Sequence, residues 1–143
     1  MGQLFRWLLV AALLMVVPVS FAQDEEAAEG AAEPATTYFS LKPAFVVNYG
    51  GAGRLRYLKT EITLRVQAGG GTPGMMDVRH HLPYIRHALV MLFSRQTSED
   101  MSSMEGRELL RQAALEAVRG VLMEEEGEQH VVDLLFDSFI IQR

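Results

Sequence analysis

One stretch in the middle of the chain leaves little choice of backbone conformation. Leu58, Thr60, Ile62, Leu64 and Val66 alternate with Lys59, Glu61, Thr63, Arg65 and Gln67. Successive side chains of an extended backbone point to opposite faces, so a period of two makes one face apolar and the other polar. A helix would scatter the same residues around its circumference. The run reads as a half-buried antiparallel strand, which needs an apolar cover on one face.

The rest of the chain supplies that cover. Upstream, residues 38–48 (YFSLKPAFVVN) end in a strand-like run at Phe45, Val46 and Val47. Pro43 has no N–H for a ladder, so the first half of this run is an edge or lead-in segment. Residues 49–53 (YGGAG) and 68–74 (AGGGTPG) are turn material. The period then changes. Leu82, Ile85, Leu89, Leu92 and Phe93 follow three- and four-residue steps, with Pro83 in a first turn that tolerates it. Ser102 and Glu105 have the spacing of a capping box for a second helix. Its apolar stripe is Leu110, Ala113, Ala114, Ala117, Val118 and Val121, and Gly127 ends it. Residues 131–142 (VVDLLFDSFIIQ) form a last strand. Val132, Leu134, Phe136 and Ile140 are expected on one face, and Asp133 and Asp137 on a wet one. The order strand, strand, helix, helix, strand predicts an α+β domain, an antiparallel sheet with two helices packed on one face.

Residues 8–17 are an unbroken apolar run behind Arg6, and Ser20 and Ala22 fit the small-x-small pattern of a signal-peptidase site. Cleavage would fall after Ala22. The alternative is a short membrane anchor over residues 1–22. Its 16 residues from Trp7 would span about 24 Å as a helix, against a hydrocarbon core of ~30 Å. Either reading places the rest of the chain across the membrane. Residues 23–37 carry five acidic side chains and no large apolar one, the composition of a disordered linker. The domain is expected to occupy 38–143.

Beyond Ala22 the chain holds 12 basic and 18 acidic side chains, with the basic ones scattered. That balance argues against a nucleic-acid partner, which calls for a basic stripe. The absence of cysteine removes thiolate nucleophiles, zinc knuckles and redox pairs. His80, His81, His87 and His130 lack metal-ligand spacing and read as surface or helix-start residues. Ser94, Ser98, Ser102 and Ser103 sit in a polar connection without a nucleophile elbow and read as caps. Gly69, Gly70, Gly71 and Gly74 lack the Lys-Ser/Thr of a phosphate loop. Glu124, Glu125, Glu126 and Glu128 lack the alternate ligands of a calcium loop, and they crowd the helix end where the dipole disfavours them. Met75 with Met76, and Met101 with Met104, are too sparse for a copper motif. No catalytic, cofactor or metal residues emerge, and the reading is of a binding protein, not an enzyme. Partner contacts are unassigned; Arg65, Arg79 and Arg86 read as plain surface charge.

Five pieces in order resemble the flagellar basal-body FliL family. FSLKPAFVVN at 39–48 is similar to its L-x-P-F-x-V-N strand, and RYLKTEITLRV at 56–66 to its RYLK strand. LPYIRHALVMLFS at 82–94 resembles its L-P-x-I-R helix. QTSEDMSSMEGRELL at 96–110 resembles the T-x-E-D-L-x-x-x-E-G-x-x-L connection, and VDLLFDSFIIQ at 132–142 the closing strand in F-x-I-Q. Two stretches depart from the pattern. The N-terminal segment is shorter than the family's membrane helix, and AGGGTPG stands where the family has a charged helical stretch.

The resemblance implies a stomatin-like periplasmic domain, associated with the basal body and self-associating into a ring. It implies a non-enzymatic motor accessory beside the stator units, supporting rotation, swimming or swarming, and chemotaxis. It places the protein at the inner membrane facing the periplasm, or in the periplasm if the segment is cleaved. The alternative is a soluble periplasmic module for a metal or an envelope-protein partner.

Overall fold

The computed structural model describes residues 35–51, 56–68 and 73–142. In chain order these form β1 (Thr36–Ser40), β2 (Phe45–Tyr49), β3 (Arg56–Gln67), α1 (Pro73–His80), α2 (Leu82–Ser94), α3 (Ser98–Ser102), α4 (Met104–Glu126) and β4 (Val131–Gln142). The alternating run is the centre of an antiparallel sheet. Leu58, Thr60, Ile62, Leu64 and Val66 are all buried on its helix-covered side. The N-terminal segment 1–22 and most of the acidic stretch lie outside the described residues.

β1 and β2 share one edge of β3. Thr36 to Ser40 pair with Gln67 to Thr63, and Phe45 to Tyr49 pair with Thr60 to Arg56. Together they are a single edge strand interrupted at residues 41–44, where Pro43 has no N–H to give to a ladder. The Leu41 N–H still reaches the Ile62 carbonyl at 2.8 Å, and the strand resumes at Phe45 with its register against β3 shifted by two residues, which keeps the same alternation of faces.

β4 runs along the whole opposite edge of β3, and here strict alternation fails. The register slips between Arg65 and Val66 and between Glu61 and Ile62, leaving Val132 and Asp137 without a partner. Each slip is a β-bulge that turns the following side chains to the other face. Val131, Leu134, Phe136, Phe139 and Ile141 therefore meet the core. Val132 and Ile140, expected there from a period of two, do not; Ile140 is 54% exposed.

The two long helices lie over that face, α2 against β2 and α4 against β4, and pack on each other. α2 buries Ile85, Leu89 and Phe93, the expected stripe. Phe93 joins the layers, edge-on to Phe45 at 5.9 Å and near Phe136 at 6.2 Å. α4 buries Leu110, Ala114, Leu115, Val118 and Leu122. Its stripe is turned from the expected one: Ala113 is exposed, and the larger leucines do the burying. Gly127 ends it with φ 75°.

Two short helices were not expected. α1 begins at Pro73, inside the glycine-rich stretch read as a turn. Gly74 sits in its first turn, buried, where an added Cβ would lie 2.5 Å from the His130 Cβ and 2.9 Å from Val66. The glycine is thus a packing residue as well as a breaker. α3 occupies the polar break and carries a capping box at Thr97 and Asp100. The box expected at Ser102 and Glu105 is displaced: Ser103 caps α4 by accepting from the Gly106 N–H at 2.9 Å.

Gly106 brings the start of α4 directly against the end of α3. A Cβ there would run into the backbone carbonyl of Asp100. Gly106→Ala should therefore lower stability by about 1–3 kcal/mol, the usual range for forced overpacking. Gly120 has open space around it in the interior of α4. Gly120→Ala should raise stability by about 0.5–1 kcal/mol. Urea denaturation of both variants checks the pair.

Candidate interaction surface

The residues with chemical potential are dispersed or structurally occupied. His80 and His81 meet edge-on at 4.7 Å between ring centres. His81 is a helix-start residue, at the N-cap of α2, but it is buried and not on the surface, and its Nε2 lies 2.5 Å from Glu126 Oε1. This pair accounts for Glu126 at the unfavourable end of α4. His130 pairs with Glu128 at 3.4 Å, and His87 is exposed on α2. Among the described residues no three His, Cys, Asp or Glu side chains converge on one point. The serines act locally, with Ser94 and Ser102 on carbonyls three residues back and Ser98 accepting from Arg56. Met101 is buried while Met104 is 84% exposed, so the two are not a pair of ligands.

Arg86 is not plain surface charge. It donates to the Pro43 carbonyl at 2.8 Å, and its guanidinium lies 4.2 Å from the Phe45 ring centre. Burial lowers its pKa. It ties α2 to the interruption between β1 and β2. Arg65 is half-buried on β3, with its Nε unpaired.

What remains is surface. On the uncovered face, the register sets Val46, Lys59 and Ile140 in one row, with Val46 64% exposed. Beside it, Tyr57 bonds Gln142 across the strands. Among the described residues, the outer edge of β4 faces no strand. Its first half is closed by side chains from α4. Arg119 donates to the Val131 and Val132 carbonyls at 3.0 Å each. Arg111 donates to the Leu134 carbonyl at 3.2 Å and pairs with Asp133 and Glu108. The two bonds to Glu108, at 2.8 and 2.6 Å, form a bidentate fork. Next to this fork a groove of about 800 Å³ opens between α4 and β4.

The family model for the flagellar basal body-associated protein FliL matches residues 38–142. The chain belongs to the FliL family. It is 30% identical over 104 residues to the flagellar protein FliL of Aquifex aeolicus, covering 73% of this chain and 60% of that protein's length. It is 29% identical over 109 residues to the flagellar protein FliL of Escherichia coli K12, covering 76% of this chain and 67% of that protein. The FliL family is one of flagellar basal body-associated proteins and not of enzymes.

Several of the residues that carry the FliL resemblance are architectural. Pro43, Phe45 and Arg86 meet at the edge-strand interruption. Thr97 and Asp100 cap α3, and Gly106 clears the Asp100 carbonyl. Others, Tyr57 and Lys59 of the RYLK strand and Phe139 to Gln142 of the closing strand, lie at the open face and edge. No helix among the described residues is long and apolar enough to cross a membrane.

Hydrogen bonds from Arg111, and then from Gln112, hold the Glu108 carboxyl down to about 2. A depressed carboxylate stabilises the fold above its ordinary pKa near 4.5, and that contribution is lost as pH falls toward 2. The exposed setting keeps the effect small. Glu108→Gln should flatten the acid limb of stability between about pH 4.5 and 2, leaving neutral pH nearly unchanged. Thermal melts across that range test it.

Proposed function

We propose that the chain is an accessory of the flagellar motor that acts by protein–protein contact, supporting stator function, rotation and motility. The reading rests on the family match across residues 38–142. It is supported by the structural occupation of the reactive side chains, while a strand edge and the exposed row of Val46, Lys59 and Ile140 remain open among the described residues. In this reading residues 1–22 deliver the chain to the inner membrane, as an anchor or as a signal peptide cut after Ala22. Residues 23–37 act as a spacer, and the domain from Tyr38 works in the periplasm. Copies pack around a stator unit and bias it toward its engaged state. A ring of that kind needs a head-to-tail interface whose rotation closes. The open β1–β2 edge, or the mixed face of β4, is the surface from which such an interface can be built.

A clean deletion should reduce swimming or swarming while filaments still assemble, and the full chain supplied in trans should restore it. Normal motility of the deletion strain would sink the reading. The mass of the mature protein in fractionated envelopes decides the delivery step. An intact N-terminus in the inner membrane marks an anchor, and loss of 22 residues marks a secreted domain.

A further inference from the structure

The two halves of β4's outer edge are treated differently. Arg119 and Arg111 take the carbonyls of Val131, Val132 and Leu134. Because the Leu134 carbonyl points outward, the alternation of an antiparallel strand continues outward through Phe136. With the bulge at Asp137 counted, it resumes at Phe139 and Ile141. These backbone groups have β3 behind them and, among the described residues, no strand in front. The stretch from Ser138 to Gln142 carries no charge, proline or bulge, so it lacks the usual protection of an exposed edge.

The groove beside this edge is lined on its apolar side by Leu135, Phe136 and the exposed Met104, with the Phe139 ring tilted against Phe136 at 5.1 Å. Arg107 stands over it, its guanidinium 6.0 Å from the Phe139 ring centre. Arg111 is held by Glu108 and Asp133, whereas Arg107 has no carboxylate partner among the described residues. Its one hydrogen bond there is to the Ser103 carbonyl at 3.3 Å.

The geometry points to the free half of β4 as a docking edge for an extended, apolar segment of another protein that carries a carboxylate. The unpaired backbone selects an extended chain, which adds as a further strand. The groove's apolar side takes apolar side chains from one face of that strand, and Arg107 takes the acid. A second copy of this chain is the poorer occupant. Along its β1–β2 edge, residues 36–49 carry Lys42 and no acid, and Asp137 of β4 is spent on Thr63 at 2.6 Å. The inference deepens the accessory reading and rests on it only in taking the occupant to be another protein.

The test uses the full chain in detergent micelles. Two labelled nine-residue peptides of alternating valine and threonine serve as probes, one with a central glutamate and one with a central lysine. The glutamate peptide should bind more tightly and slow amide exchange at Phe136, Phe139 and Ile141. Arg107→Glu should weaken the glutamate peptide about tenfold and reverse the preference, as expected for an ion pair in a partly desolvated groove. Ile141→Pro removes an outward N–H without touching the β3 ladder, and should weaken both peptides while circular dichroism stays unchanged. Protection at the β1–β2 edge instead would overturn the inference, as would a preference indifferent to Arg107→Glu. So would concentration-dependent protection of Phe139 and Ile141 without peptide, which would assign the edge to a second copy. Motility does not enter these readouts, so the docking edge and the motor role fail separately.

Discussion

Burying one face of β3 obliges the chain to satisfy that strand's backbone on both edges and to lay apolar surface over it. All the larger features follow from meeting those demands in about a hundred residues. The N-terminal segment serves one edge in two pieces, and the C-terminal strand serves the other along its full length. The helices between them in sequence cover the apolar face. Phe93 completes the arrangement by touching Phe45 at one rim and Phe136 at the other. The sheet and the helical layer are thus tied by aromatic contact across the full width of the core.

Arginines close the gaps that the topology leaves open. Arg86 satisfies the Pro43 carbonyl where the edge strand breaks, and Arg111 and Arg119 satisfy carbonyls of β4 where no strand follows. A half-buried carbonyl without a partner costs about 1–3 kcal/mol, so these side chains act as substitutes for a missing strand. Coverage by side chains is local, and it stops after Leu134. The contrast between a closed and an open half of the same edge is what gives this surface a direction.

The bulges show where local reading gives out. A period of two identified β4 as a strand and assigned its wet side correctly through Asp133 and Asp137. Nothing in VVDLLFDSFIIQ marks Val132 and Asp137 as extra residues, because a bulge is a mismatch between two strands and belongs to neither alone. The same holds for His81 and Glu126. Forty-five positions apart, each had a bland local reading, and only the approach of the α1–α2 junction to the end of α4 pairs them.

Alternation at β3, three- and four-residue steps in α2, and the turn and cap residues were legible because their causes are local: pleat, helical pitch and backbone freedom. The family was legible too, since its short motifs occur in order along the chain, although the structure shows several of their residues to be latches and caps. Tertiary structure decided which residues of β4 face the core, that the half-buried Arg86 ties α2 to the edge strand, and that a helix starts at Pro73. It also decided which edge carbonyls are capped and which half of β4 remains open. These depend on distances between segments far apart in sequence, and packing sets those distances only once β3 has found partners on both sides.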